Sequence, residues 1–395
     1  MSGPMNPDTA PARHVSLATI AREWTRLGCI GFGGPPTHIT LLRRLCVEQR
    51  QWMDEREFED GVAATNLLPG PASTQLAIFC AWRLRGAVGA LLGGVCFIVP
   101  GLILILALSV LVLDRHAPAW VLGAAAGAGA AVPAVALKAA WTLVPASRRG
   151  TANRRVARIR WMTYVVVGAV AAAIAGSYLV LGLIACGLIE IVAQRRENIK
   201  PSGAARVTFP WALGHVGGFG GIGAIGWVAL KVGALSYGGG FVIVPLMQHD
   251  VVSTYHWMSG TQFLSAVALG QLTPGPVVQT VAAVGYVAGG IGGGLLAALV
   301  VFSPSFLFVL AGAPHFDGIR QNKSVRSFFR GAGPAVIGAI AGSAIPLGRS
   351  FSHLWQIPIL AGALVLLFVL RRSVVACLLL AGFVGLVLAL SGVHV

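Results

Sequence analysis

Two Pro-Gly-Pro tripeptides, residues 69–71 and 274–276, interrupt apolar stretches that are long enough to cross a bilayer, 61–82 and 266–286. Each proline removes a backbone donor and clashes with the preceding turn, while the glycine adds conformational freedom. We therefore predict two half-helices that meet at a break within each stretch. In lipid such a break survives only where it is buried in protein or lines a cavity.

Polar side chains stand on both sides of the first tripeptide: Thr65, Asn66, Ser73, Thr74 and Gln75. The second half-helix points its N-terminus into the break. Its unpaired backbone N–H groups and the positive end of its dipole favour an anion. The chemistry predicted here is therefore anion binding by hydrogen-bond donors rather than acid–base catalysis.

The elements that position these residues belong to an all-α polytopic membrane protein. Of 395 residues, 56% are hydrophobic and only 11% are charged. This composition and the long apolar runs predict 10–12 membrane segments. The net charge of +16 resides mostly in short links between apolar segments. That pattern follows the positive-inside rule and argues against a nucleic-acid partner. The expected partner is the lipid bilayer.

Cofactor and redox motifs are not recognisable in this sequence. The six cysteines form no CxxC pair and mostly stand in apolar segments. The glycines at 218, 220 and 223 match a dinucleotide pattern, but they lie in an apolar segment without a βαβ unit, so we assign them to helix packing. We expect no cofactor and no metal. Residues 1–16 have no apolar core, so no cleavable signal peptide is expected.

An internal repeat is visible when the sequence is shifted by 205 positions. Gly33-Gly34 then falls on Gly238-Gly239, Trp52-Met53 on Trp257-Met258, and each Pro-Gly-Pro on the other. A shared Trp-Met and a shared Pro-Gly-Pro at one offset predict a duplication.

The charges of matched links predict that the two copies are inverted in the membrane. The link 43–60 is rich in arginine, whereas its counterpart 248–260 contains no Lys or Arg. Each broken stretch is then a re-entrant hairpin, and the two enter from opposite faces and meet near the midplane. The arginines near the N-terminus fit this scheme poorly, which makes residues 15–42 a further candidate for a re-entrant segment.

The predicted domain organisation follows from these links and repeats. It comprises a disordered tail (1–14), a first repeat (15–144), a basic link with a connecting helical hairpin (145–207), a second repeat (208–350) and C-terminal membrane helices (351–395).

The motifs together resemble the chromate ion transporter family in its long, two-domain form. The resemblance rests on Phe32-Gly33-Gly34-Pro35 with Thr37-His38, Leu68-Pro69-Gly70-Pro71 with Ser73 and Gln75, Tyr237-Gly238-Gly239-Gly240, and Thr273-Pro274-Gly275-Pro276. It implies a multi-pass protein of the bacterial inner membrane that exports chromate, confers chromate resistance and is coupled to the proton gradient. It also implies a link to sulfate, an analogue of chromate.

A tetrahedral dianion offers only acceptor oxygens, so donors are what a binding site needs. The predicted substrate-binding residues are Gly33, Gly34, Thr37, His38, Asn66, Gly70, Ser73, Thr74, Gln75, Gly239, Gln271, Thr273, Gly275, Gln279 and Thr280. The alternative is that the breaks are kinks that serve only packing. His38 is also a candidate proton shuttle, and its alternative is an ordinary hydrogen-bonded histidine.

A dianion at membrane depth also needs positive charge. The candidates are Arg43, Arg83, Arg85, Lys138 and Lys231. For each of them the alternative is a side chain that reaches to the membrane interface. Glu190 is the main acidic residue at membrane depth, and we expect a structural role for it.

Three alternatives stay open at the level of the sequence. The first is a permease for sulfate or another anion. The second is a membrane-embedded chromate reductase, which would need a redox cofactor or paired thiols. The third is a partner or regulatory membrane protein, which the two buried breaks disfavour. A homodimer is compatible with the sequence in each case. An ATP-driven pump is disfavoured because the chain has no Walker A motif.

Overall fold

A computed structural model describes residues 15–114, 117–148, 155–175, 179–198, 220–236, 241–312 and 322–393. Throughout these ranges the secondary structure is helical, without a β-strand. The tail 1–14 and Gly239 lie outside the described residues.

The helices of the N-terminal half include several short elements before the long ones. They are α1 (Leu17–Ile30), α2 (Pro35–Arg43) with a π-helical continuation (Arg44–Gln49), α3 (Glu55–Thr65), α4 (Ala72–Val112), α5 (Ala119–Arg148), α6 (Arg155–Val170, continued by a π-helical turn, Ala171–Ala175) and α7 (Leu179–Asn198).

The C-terminal half has a similar order of short and long elements. They are α8 (Ile222–Leu235), α9 (Ile243–Gln248) with a π-helical continuation (His249–Thr254), α10 (Gly260–Leu272), a 3-10 turn (Val277–Gln279), α11 (Thr280–Gly312), α12 (Lys323–Arg349), α13 (Gln356–Leu364, continued by Val365–Val369) and α14 (Val374–Leu390).

Helices of membrane-spanning length confirm a polytopic membrane protein. Within the described residues, 5 helices are long and apolar enough to span a bilayer, and four shorter apolar helices accompany them. The 41 residues of α4 would extend about 60 Å if straight, twice the hydrocarbon thickness of about 30 Å. Non-helical backbone at Gly86 divides α4, and Gly290 divides α11 in the same way. The basic pair Arg83 and Arg85 therefore lies at a kink inside α4.

Both Pro-Gly-Pro tripeptides break their helices, as predicted. We call residues 66–71, between α3 and α4, the first break, and residues 273–276, between α10 and the 3-10 turn, the second break. Gly70 has φ 115° and Gly275 has φ 91°, a region that side chains disfavour. The helices α3 and α10 therefore end shortly before the prolines, as proline stereochemistry favours.

Some local backbone features recur 205 residues apart, while the duplication itself stays a prediction. Gln51 has φ 48° and His256 has φ 50°, although neither is a glycine. The π-helical continuations of α2 and α9 also correspond at this spacing. Inversion of the two copies in the membrane is a separate claim, and it stays a prediction.

The broken chains lie at the centre of the packing. Helix α4 packs against α1 and α11, and α11 packs against α8 and α4. Around them, α12 contacts α5, α6 and α7, while α5 also contacts α14. Each break is therefore surrounded by protein on several sides, the condition under which irregular backbone is tolerated at membrane depth.

Candidate functional site

The first break contacts elements from the second half of the chain. The backbone N–H of Gly70 donates to the carbonyl oxygen of Ser236, at the end of α8, over 2.7 Å. The side chain of Gln75 folds back over this glycine, and its Nε2 donates to the Pro69 carbonyl over 2.6 Å. A Cβ on Gly70 would also lie 3.4 Å from Ser305 Oγ of α11. The tip of this break thus has no room for a larger residue.

The second break makes the reciprocal contacts with the first half. The N–H of Gly275 donates to the carbonyl oxygen of Gly31, at the end of α1, over 2.9 Å. Gln279 Nε2 donates to the Ile98 carbonyl of α4 over 2.7 Å. A Cβ on Gly101 would overlap the Pro274 carbonyl oxygen, so α4 approaches this break backbone to backbone. Each break therefore rests on the helices of the other half.

His38 links the two breaks through hydrogen bonds. Its Nε2 lies 2.8 Å from the Gly31 carbonyl oxygen, which can only accept, so this nitrogen carries a proton. In the neutral ring Nδ1 then accepts from Ser73 Oγ over 3.2 Å. Because Gly31 also accepts from Gly275, a continuous chain runs from Ser73 through His38 and Gly31 to the second break. The ring is 1% exposed and stands edge-on to Phe97 at 5.1 Å.

Buried polar atoms without a partner among the described residues concentrate around the two breaks. Those at or beside the breaks are Thr74 Oγ1, Gln75 Oε1, Ser236 Oγ, Gln271 Nε2, Gln279 Oε1 and Ser305 Oγ. An unsatisfied buried polar group costs roughly 1–3 kcal/mol, so these atoms are suited to bond water or a polar ligand at the breaks. The three hydroxyls and the amide of Gln271 can donate to an anion. The two amide oxygens can only accept, so they suit water rather than an anion.

A cavity of about 490 Å³ opens beside the first break. Asn66, Leu67, Gly70 and Ala72 line one side, and the C-terminal end of α5 lines another through Leu143, Ala146 and Ser147. The third side is α12, which contributes Arg326, Phe329, Arg330, Gly333, Val336 and Ile337. Among the described residues, the cationic groups in this lining are Arg326 and Arg330.

Most of the predicted binding residues lie at the two breaks or in the lining of the cavity. Ser73, Thr74, Gln75, Gln271, Thr273, Gln279 and Thr280 are buried at or beside the breaks, and Asn66 and Gly70 line the cavity. Thr280 Oγ1 already donates to the Val277 carbonyl over 2.8 Å, so it serves the local turn. Gly34 is buried, and a Cβ there would lie 3.5 Å from Val277. Gly33 is exposed and Thr37 is half-buried.

The predicted charge partners have other contacts within the protein. Arg43 pairs with Glu55 and Glu59, Arg83 pairs with Glu57, and Lys231 pairs with Asp250. Arg85 lies 3.4 Å from the Val15 carbonyl, and Lys138 lies 5.2 Å from the Phe368 ring centroid. The cavity lining does not include these five side chains. Their role opposite an anion stays a prediction.

Sequence reasoning did not single out Arg326 and Arg330, which it placed in a basic link. Their spacing of four residues does indicate one face of a helix. Their proximity to Asn66 depends on how α12 packs beside the first break, and no local pattern shows that.

The sequence of the chain matches the model of one known protein family. The family model described as chromate transporter matches residues 18–191 and 223–386. The chain belongs to the chromate transporter family. The resemblance seen in the motifs is thereby confirmed, and both breaks, His38 and the cavity arginines all lie inside the matched regions.

This chromate transporter family member is similar to several curated proteins over most of its length. The chromate transport protein of Cupriavidus metallidurans is 32% identical over 369 residues, 88% of each chain. The probable chromate transport protein of Synechococcus elongatus is 30% identical and covers 86% of each chain. The chromate transport protein of Pseudomonas aeruginosa is 28% identical over 395 residues. No solved structure matches the chain.

Proposed function

We propose that this protein is a secondary transporter that exports chromate across the bacterial inner membrane, is coupled to the proton gradient and confers chromate resistance. Family membership supports the substrate. The observation that carries the site is the reciprocal docking of two broken segments, joined from Ser73 through His38 and Gly31 to Gly275. Transporters built from inverted repeats bind substrate at such broken helices.

Chromate is a tetrahedral dianion, and removing it from water requires several hydrogen bonds or positive charges. The first half-helix of α4 presents its N-terminus at the first break, where backbone N–H groups and the helix dipole favour an anion. Thr74, Ser236 and Ser305 supply unpartnered donors in the same region, and Gln271 supplies one beside the second break. The site thus provides what an oxyanion needs without a metal ligand.

Transport in everted membrane vesicles tests the proposal directly. Vesicles that contain the protein and are energised with NADH should accumulate radiolabelled chromate, and an uncoupler should abolish the accumulation. Vesicles from cells without the protein supply the control. Failure to observe energy-dependent uptake with verified, correctly inserted protein would reject chromate export.

A sulfate or general anion permease is the second candidate. Helix N-termini and hydroxyl donors respond to charge and shape, which sulfate shares with chromate, rather than to the central atom. The same vesicles decide between the two, because labelled sulfate and labelled chromate can be compared at equal concentrations. A clear preference for sulfate would replace chromate as the principal substrate.

Two cysteine thiols lie close together in the structure. Paired thiols are one of the features that a chromate reductase would need. Cys46 and Cys80 are in hydrogen-bond contact, although they are far apart in sequence. Both are 0% exposed. A reductase needs thiols that an aqueous oxyanion can reach, so this pair does not favour that activity.

A further inference from the structure

The two arginines of the cavity form a positive cluster that no carboxylate neutralises within the described residues. The ion pairs of the described chain involve neither Arg326 nor Arg330. The two side chains stand four residues apart on α12, where like charges repel. Arg326 also lies near the positive end of the helix dipole. Both side chains are exposed and solvated, so their charges are tolerated and leave a positive potential at the cavity.

Among the described residues, the acidic side chain Glu190 packs next to α12 but has other partners. Glu190 accepts from Tyr164 Oη over 3.0 Å and from Gln194 Nε2 over 2.8 Å, and it lies 3.4 Å from Arg160. The other end of the Gln194 amide accepts from Ser327 Oγ over 2.8 Å and from Arg330 Nη1 over 3.4 Å. Gln194 thus stands between Arg330 and the carboxylate. It holds the guanidinium beside the cavity without removing its charge.

The cavity has the size and the walls for an incoming anion. Its volume of about 490 Å³ accommodates a tetrahedral oxyanion with several waters, since one water occupies about 30 Å³. Opposite the arginines lie Asn66 and Ala72, the residue at which α4 begins. An anion drawn in by the guanidinium groups therefore reaches the donor end of the first half-helix.

We propose that this cavity is an entry subsite for tetrahedral dianions on the cytoplasmic side, and that Arg326 and Arg330 concentrate the ion there before it reaches the first break. The assignment rests on the proposed transport function. The cytoplasmic side follows from the positive-inside rule, because the lining includes Ala146 and Ser147 of the basic link 145–160 together with Arg326 and Arg330. Both guanidinium groups recognise charge and oxygen geometry, so chromate and sulfate should share the subsite.

The electrostatic potential in the cavity can be measured without a transport assay. Ala146, which lines the cavity, is replaced by cysteine in a cysteine-free background. The rates of modification by a negatively charged sulfonate methanethiosulfonate and a positively charged trimethylammonium methanethiosulfonate are then compared. We expect the anionic-to-cationic rate ratio to fall about fivefold in R326Q/R330Q. The matched control R155Q/R158Q removes two exposed arginines of α6 that do not line the cavity, and it should leave the ratio unchanged.

Transport kinetics supply the second readout. R326Q/R330Q should raise the KM for chromate and sulfate about tenfold while the maximal rate changes little, since the release path is intact. R326K/R330K should keep most of the affinity, and the KM of the wild type should rise with salt more steeply than that of R326Q/R330Q. Insertion of each variant is verified by purification as a monodisperse protein.

The outcomes separate this assignment from the transport proposal. Wild-type vesicles that move neither ion would overturn chromate export. An unchanged reagent ratio together with an unchanged KM in R326Q/R330Q would overturn the entry subsite, even where transport itself is normal.

Discussion

His38 occupies a position where one side chain joins two distant parts of the chain. Both ring nitrogens are engaged, and the ring is almost fully buried, so it holds one tautomer and one orientation. Its counterpart in the second half of the chain, position 243, is isoleucine. The hydrogen-bonded histidine therefore occurs in only one half of the chain. The surroundings of the two breaks differ in chemistry, although their backbones are alike.

A double-mutant cycle tests the His38–Ser73 link. H38A and S73A should each lower kcat/KM for transport, and the combined variant should lose less than the sum, with a coupling of about 1 kcal/mol. Vesicle transport and thermal unfolding in detergent both measure it. T40V, on the same helix and exposed, provides the control and should show no coupling to H38A. Strictly additive losses for H38A and S73A would argue against the link.

Gly70 is a residue at which even alanine should not fit. Its φ of 115° disfavours a side chain, and a Cβ would lie 2.5 Å from Gln75 Nε2. G70A should lower the free energy of unfolding by about 1–3 kcal/mol and abolish most transport. G226A on α8 is the control, because that glycine is helical and a Cβ there meets no atom within 4 Å. If both variants melted at the same temperature, the tight tip at the first break would be refuted.

At the level of elements, the breaks depend on proline and glycine rather than on surrounding packing. Replacing Pro69, Gly70 and Pro71 by alanine supplies strong helix formers across the first break. The α3–α4 connection should become more helical, the donor end of α4 should be lost, and chromate uptake should fall to background while insertion persists. P358A, at an exposed proline of α13, serves as the control. Normal uptake by the triple variant would show that the first break is dispensable.

Each half also has an ion pair that ties its first helix to the π-helical region, and the pair in the second half is the more buried of the two. In the first half Glu23 of α1 meets Arg50 over 2.6 Å, and in the second half Lys231 of α8 meets Asp250. The signs are exchanged, with the acid on α1 in one half and the base on α8 in the other. Both halves therefore make such a connection, but with different residues.

Removing one partner of the buried pair should be costly. D250N leaves Lys231 charged in a site where its side chain is 16% exposed, so we expect a loss of about 3 kcal/mol in the free energy of unfolding. The swap K231D/D250K should recover part of the loss. E55Q breaks the exposed pair with Arg43 and should cost under about 1 kcal/mol. The melting temperatures of the three variants in detergent are compared with that of the wild type. Equal decreases for D250N and E55Q would show that the Lys231–Asp250 pair stabilises the fold no more than the exposed pair does.

For the whole molecule, the principal untested claim is that the two halves face opposite sides of the membrane. Glu48 and Ser253 occupy corresponding exposed positions in the two π-helical segments. In a cysteine-free background, E48C should react with an impermeant maleimide only from the cytoplasmic side, and S253C only from the periplasmic side. Everted and right-side-out vesicles distinguish the two. Labelling of both from one side would exclude inversion.

Much of the architecture was predictable because its causes are local. The Pro-Gly-Pro tripeptides end helices wherever they occur, and apolar runs of about 20 residues span a bilayer regardless of their neighbours. The placement of the charges was not predictable in the same way. Arg43 and Arg83 were candidates for opposing an anion, yet both pair with nearby carboxylates, whereas Arg326 lies in the cavity. A long arginine side chain can reach several possible partners, and the tertiary packing determines which of them lies within reach.

The sequence by itself determined that the chain is a helical membrane protein with two interrupted segments and a recurring pattern, and its motifs pointed to the family. The tertiary structure alone decided that each break rests on the opposite half, that His38 connects them, and that Arg326 and Arg330 stand beside Asn66. The physical reason is distance along the chain. Stereochemistry and hydrophobicity act within a few residues, but contacts between segments some 200 residues apart depend on the packing of the whole bundle.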